Sequence, residues 1–316
     1  MILAFAHYPG SANVICPLLK KLKGEIYALE PAYSIAKKYK IKSHKLSKLN
    51  YLEIQKIIKY RKPNLIITGL SYPEQIHKLA LKAANELDIK TISILDFWGN
   101  NSKSLTQNHK KYLPTIYCVP DNFSKNEAIK SGIPKRIIKI TGSPHFEEII
   151  KKSKTKNISK NQYILFASQP HDIDFPKQRP NQFDALELLI KSNNNKSQII
   201  VSVHPRDNIK RYNKYKSKNI IIKNKNTLEL IKNATIIVSL TSTMLIEASL
   251  MNKPSISIFG GNKFIEKHFP VAKNETQLIH LLKQKKISKY KPITNATNNI
   301  LKLAQKLLVK QTIKTK

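Results

Sequence analysis

The chain of 316 residues carries 56 Lys+Arg against 20 Asp+Glu, a formal net charge of +36, with 41% hydrophobic and 24% charged residues. Such a balance argues against wholesale disorder and provides for one large or two medium cores. The two cysteines, Cys16 and Cys118, have no metal-binding spacing and argue against a disulfide framework.

The cationic surplus draws anionic partners, whether phosphate, nucleic acid or acidic lipid, without choosing among them. Its lysines are scattered among Asn and Ile, which fits compositional drift as well as a selected basic face. No apolar run approaches the roughly 20 residues that span a bilayer. The opening residues lack a basic region and meet Pro9-Gly10 too early for a secretory signal. A cytoplasmic protein is expected, with any membrane contact peripheral, at the inner face of the cell membrane.

Taken in order, residues 2–7 read as a strand, 11–23 as a helix and 25–29 as a second strand. Residues 51–62 form an amphipathic helix with Leu52, Ile54, Ile57 and Ile58 inward. A strand at 64–68, a helix around 74–87 and strands at 91–95, 116–119 and 136–140 follow. The polar stretch 151–162 interrupts the pattern and reads as a linker. Strands then recur at 163–167, 198–203, 219–222, 235–239 and 255–259, with helices near 183–191, 227–232 and 242–251 between them. Helices near 276–283 and 296–309 close the chain.

Strands that are apolar throughout and separated by helix-length segments are parallel strands buried on both faces. The expected class is α/β, with two doubly wound Rossmann-like domains facing a cleft. Residues 1–152 form the first domain, 153–162 the linker and 163–316 the second. Ligands in such sheets bind outside the carboxyl ends of the strands.

In the second domain, a buried strand ends at Ser239 and a hydroxyl-rich turn leads into a helix near Ser242. Helix N–H groups beside the Thr241, Ser242 and Thr243 hydroxyls suit an anion. Glu247, one turn in, suits the two hydroxyls of a ribose. The competing reading is a plain helix cap with a solvated glutamate. Another strand delivers His204-Pro205-Arg206 at its end. Imidazole and guanidinium together can neutralise a diphosphate, although alone this tripeptide is a turn. Gln169, after the strand at 163–167, is placed to meet phosphates or sugar, whereas His171 and Asp172 read as loop polars and His145 as structural.

In the first domain, Pro9, Gly10 and Ser11 occupy the turn after strand one, where Gly10 permits close approach and Ser11 can cap the helix. Asp96-Phe97-Trp98-Gly99-Asn100 follows the strand at 91–95. Asp96 is the candidate base towards an acceptor hydroxyl and Trp98 a stacking surface for a sugar or base. Otherwise Asp96 is a turn residue and Trp98 core. Asp172-Ile173-Asp174 spells a metal dyad without supporting residues nearby, so no metal and no cofactor are expected.

These residues together resemble the GT-B superfamily of glycosyltransferases and sugar 2-epimerases. The Ser/Thr turn, Glu247-Ala248 and Asn252-Lys253-Pro254 resemble its phosphate- and ribose-gripping helix. Val203-His204-Pro205 resembles the His-Pro motif of several bacterial members, including sialyltransferases and capsule-polymer enzymes. Thr141-Gly142-Ser143-Pro144 resembles the turn ending its first domain, and Asp96 to Asn100 an element of bacterial surface-polysaccharide proteins.

The resemblance implies a glycosyltransferase moving a sugar from a nucleotide-sugar donor to a bacterial surface polysaccharide or lipid-linked glycan. His204, with Arg206 and the 241–243 turn, would serve the donor phosphates, Glu247 the ribose and Asp96 the acceptor. A basic surface would help it meet an anionic membrane. The alternative is a nucleotide-sugar 2-epimerase or hydrolase of the same fold. Such enzymes carry charged groups in the first domain, and Gly10 to Asn13 has no Arg or Lys. A basic nucleic-acid-binding protein is the alternative of another class. No nucleic-acid-binding motif supports it, and no specific nucleic acid is expected.

Overall fold

The computed structural model describes residues 1–70, 75–98, 105–107, 110–153, 162–223, 227–288 and 290–314. Two compact units result: Met1–Glu148 with Pro292–Lys316, and Ile149–Lys291. Among the described residues no helix is long and apolar enough to cross a membrane.

The first unit contains β1 (Ile2–Ala6), β2 (Glu25–Ala28), β3 (Lys42–Lys45), β4 (Leu65–Leu70) and β5 (Lys90–Leu95), followed by a hairpin of β6 (Thr106–Gln107) and β7 (Lys110–Lys111), then β8 (Ile116–Val119) and β9 (Ile138–Ile140). Seven of these form one sheet, ordered β3-β2-β1-β4-β5-β8-β9, and its neighbours pair in parallel. The chain steps outward from β1 to β3, then returns past β1 to continue through β4. The sheet therefore reverses direction between β1 and β4.

Alternation along β1 decides which helices cover which face. Ile2, Ala4 and Ala6 share a core with the helices Pro9–Leu22, Ala32–Lys38 and Ala296–Lys314. Leu3 and Phe5 share another with the helices Tyr51–Arg61 and Ile76–Glu86. In Tyr51–Arg61, Ile54 and Ile58 are buried, but Leu52 is 64% exposed and does not face inward. The helix predicted from residue 74 is described from Ile76.

The second unit contains β10 (Tyr163–Ala167), β11 (Gln198–Ser202), β12 (Ile220–Lys223), β13 (Ile236–Ser239), β14 (Ser255–Ile258) and β15 (Val271–Ala272). They form a parallel sheet ordered β12-β11-β10-β13-β14-β15. Direction reverses between β10 and β13. The helix Gln182–Asn193 starts with a reciprocal cap between Asn181 and Asp184 and packs Ala185, Leu186 and Leu189 onto Ile164 and Phe166.

The predicted division at 153–162 is corrected at both ends. The boundary falls within the helix Pro144–Ser153, and the segment after residue 291 belongs to the first unit, not the second. Ile300 and Ala304 of the last helix are fully buried in the first core. Gly142 fixes the return: its φ is +81°, and a Cβ there would lie 2.6 Å from the Ile293 carbonyl oxygen. Asn299 Nδ2 donates to the Thr141 carbonyl at 3.1 Å, and the Thr297 hydroxyl to Glu147 Oε2 at 2.6 Å. The Thr141-Gly142-Ser143-Pro144 turn is thus the seat of the C-terminal helix. Residues 154–161, most of the predicted linker, lie outside the described residues.

Candidate functional site

In the second unit, β10 lies between β11 and β13, so the segments leaving these three strands are neighbours. Gln169 follows β10, His204 to Arg206 follow β11, and Thr241 to Thr243 follow β13. Gln169 Oε1 accepts from the Thr241 main-chain N–H at 3.3 Å and from its hydroxyl at 3.1 Å. This clasp joins the segments that leave β10 and β13 at the switch point of the sheet.

Ser242 caps the helix Thr243–Leu250, its Oγ accepting from the Met244 N–H at 3.2 Å. Ser239 Oγ donates to the Ala167 carbonyl at 2.6 Å and anchors the turn to β10. Among the described residues the Thr243 N–H has no acceptor, so it and the Thr243 hydroxyl remain open to an anion. Glu247 follows in the same helix. It is 8% exposed, which corrects the reading of it as a solvated residue. Carboxylates are rarely so buried without a dedicated environment.

The β11 end differs electrically from expectation. His204 Nδ1 accepts from the Arg206 main-chain N–H at 3.1 Å, which puts the ring proton on Nε2. Burial, reinforced by the Arg206 charge, pushes its pKa down to about 4. His204 is therefore a neutral donor at pH 7. The Arg206 guanidinium is held bidentately by Asp174, at 2.8 and 2.7 Å. The expected pair of free cations for a diphosphate is thus corrected to a neutral imidazole and an arginine already committed to a carboxylate.

Beneath these ends runs a polar network that sequence reasoning missed. Arg211 pairs with Asp172 and, at 2.8 Å, with Asp207. Tyr212 donates to Asp207 Oδ2 at 2.7 Å and meets Ser168 Oγ at 2.5 Å. Gln182 Nε2 donates to Asp172 Oδ1 at 2.5 Å. The network ties the loop after β10 to the segment after β11, so Asp172 is an anchor rather than a loose loop polar. Asp172 and Asp174 each face an arginine. Only the i,i+4 spacing of Asp207 and Arg211 was visible in sequence.

In the first unit the structure rearranges the expected residues. The helix begins at Pro9, two residues earlier than predicted, with Pro9 at its first turn and Tyr8 as N-cap. Pro9 and Gly10 are half-buried members of that turn rather than a preceding loop. Ser11 is fully buried, its hydroxyl donating to the Tyr8 carbonyl at 2.9 Å, so it neither caps the helix nor lines a surface. The close approach belongs to Gly69 of β4, where a Cβ would lie 2.4 Å from Ser11 Cα.

Trp98 is 2% exposed. Its Nε1 donates to Asp121 Oδ2 at 2.7 Å, and its ring stacks on Phe146 with centroids 5.6 Å apart. That corrects Trp98 from a ligand platform to a core residue. Asp96 remains half-buried just past the end of β5, close enough to Tyr117 to add to the rise that burial gives that phenol's pKa. Gly99 and Asn100 of the same motif lie outside the described residues.

No family model matches the chain and no curated protein matches it in sequence. Solved structures do match in shape over nearly the whole length. The UDP-GlcNAc 2-epimerase from Neisseria meningitidis bound to UDP-GlcNAc has a TM-score of 0.74 at 14% identity, over 96% of this chain and 99% of that one. The chain has the GT-B fold.

Two further GT-B structures agree. The UDP-GlcNAc 2-epimerase from Methanocaldococcus jannaschii has a TM-score of 0.70 at 14% identity, covering 96% of this chain and 99% of that one. Anabaena Alr3699/HepE in complex with UDP-glucose has a TM-score of 0.61 at 12% identity, covering 100% and 99%.

Proposed function

We propose that this GT-B chain is an enzyme acting on a UDP-sugar, inverting its configuration at C2 or hydrolysing it. The observation that carries the reading is the Gln169–Thr241 clasp. Beside it stand an open helix N-terminus at Thr243 and a buried carboxylate at Glu247. A diphosphate fits the Thr243 N–H and hydroxyl, and a ribose fits Glu247. The neutral His204 donates Nε2–H to a phosphate or leaving oxygen without adding charge, and Arg206 holds its loop in place through Asp174. Structural neighbours that act on or bind UDP-sugars support this choice over transfer.

Transfer to a bacterial surface polysaccharide or lipid-linked glycan is the second reading, with peripheral membrane contact and Asp96 as base. It is favoured by the absence of any cationic residue from Pro9 to Asn13. In either reading the site works without a metal. Thermal-shift titration with UDP, CMP, GDP and dTDP tests the nucleotide, since ligand that binds only folded protein raises the melting temperature. Proton NMR of UDP-GlcNAc incubated with the protein then separates the reactions. A C2 epimer or free sugar without acceptor supports the first reading; turnover only with a glycan supports the second. A flat panel for every nucleotide defeats both.

A further inference from the structure

The two helical layers of the first unit differ sharply in charge. The layer on the Ile2, Ala4 and Ala6 face consists of Pro9–Leu22, Ala32–Lys38 and Ala296–Lys314, which contain no Asp, Glu or Arg. Lys20, Lys21, Lys37, Lys38, Lys302 and Lys306 on these helices are all exposed. Among the described residues none of the six is in an ion pair. The first helix packs against both others, and Lys21 Nζ donates to Asn298 Oδ1 at 3.0 Å, one turn from Lys302. The cations therefore share one layer, whose neighbouring carboxylates are Glu147, held by Thr297 at the start of the last helix, and Glu148 beside Tyr39. The helices of the opposite layer carry Glu53 and Glu86 among their lysines, so the asymmetry is not the chain's general excess.

We infer that this layer docks on an anionic lipid surface. Three features select lipid over nucleic acid. The cations are all lysine, compact point charges that suit a diffuse anionic plane, whereas arginine is the residue of bidentate phosphate and base recognition. Val309 is 59% exposed, three residues beyond Lys306, and offers an apolar contact to the interface. Tyr33 is the aromatic within these three helices, and Lys37 and Lys45 lie over its ring at 5.9 and 5.6 Å, which leaves it poorly placed to stack on a base.

The inference is independent of the nucleotide-sugar reading, because its test involves no nucleotide. Full-length protein is floated with vesicles of phosphatidylcholine alone and with added phosphatidylglycerol, at roughly physiological salt. Two triple variants of equal charge change are compared: Lys37→Gln, Lys38→Gln, Lys302→Gln, and, from the opposite layer, Lys56→Gln, Lys59→Gln, Lys62→Gln. Circular dichroism and melting first establish that both are folded. The expected result is binding to anionic vesicles only, weakened about tenfold or more in the first variant and nearly intact in the second. Equal losses in both variants would reduce the effect to net charge and overturn the inference. So would failure of the parent protein to bind anionic vesicles. A first variant that loses binding to a labelled single-stranded oligonucleotide while keeping its vesicle binding overturns it as well, in favour of nucleic acid.

Discussion

Gln169 and Thr241 lie 72 positions apart, yet one carboxamide oxygen takes both the main-chain N–H and the hydroxyl of that threonine. The bond joins the segments leaving β10 and β13, and so fixes the start of the helix that holds Thr243 and Glu247. A single neutral hydrogen bond is worth only about 1 kcal/mol to stability. Gln169→Ala should therefore cost about that much in urea unfolding while lowering UDP affinity about tenfold by calorimetry. Unaltered affinity would remove Gln169 from the nucleotide site.

His204 makes stability depend on pH in a definite direction. Its folded pKa, about 4, lies below the ordinary 6.5, so the unfolded chain takes up the proton first. The stabilisation is complete above about pH 6.5 and is lost as pH falls towards 4, up to about 3 kcal/mol. His204→Gln should flatten the unfolding free energy across that window relative to the parent. Parallel curves for the two proteins would mean that the ring titrates in the fold as it does in the unfolded chain.

Asp174 and Arg206 should prove unequal partners. Arg206→Met leaves a carboxylate only 19% exposed, whereas Asp174→Ala leaves a guanidinium that is 25% exposed. The first loss is the more expensive, about 1–3 kcal/mol by denaturation. The double variant should recover part of it. Strict additivity of the two single effects would show that the pair is not coupled.

Two residues of one motif should separate cleanly. Trp98→Phe removes the donor to Asp121 and part of the stack on Phe146, costing about 1–3 kcal/mol while UDP affinity stays constant. Under the transfer reading, Asp96→Asn should leave the melting temperature and affinity alone and abolish turnover. Full turnover in that variant makes Asp96 a turn residue.

Much of the architecture was legible because buried parallel strands are apolar on both faces, as β1, β4, β10 and β13 show. The edge strand β3, Lys-Ser-His-Lys, has no such run. It is held by its ladder to β2 and by Glu25, which meets Lys42, His44 and Arg61. At the site, the order of strand ends was readable, and with it the neighbourhood of Gln169, His204 and Thr241. The protonation of His204 and the commitment of Arg206 were not, because both depend on burial and on Asp174, 32 residues from Arg206. Ser11 and Trp98 misled for a related reason: residue type suggests what a side chain can do, but only packing decides whether solvent reaches it.

The seat of the C-terminal helix on Gly142 has a bearing on biosynthesis. Ile300 and Ala304 leave the ribosome only after the whole of the second unit has been made. Without that helix the second unit can close on itself while the first still lacks a side of its core. Released chains ending at residue 291 should accordingly resist protease in the second unit and yield to it in the first.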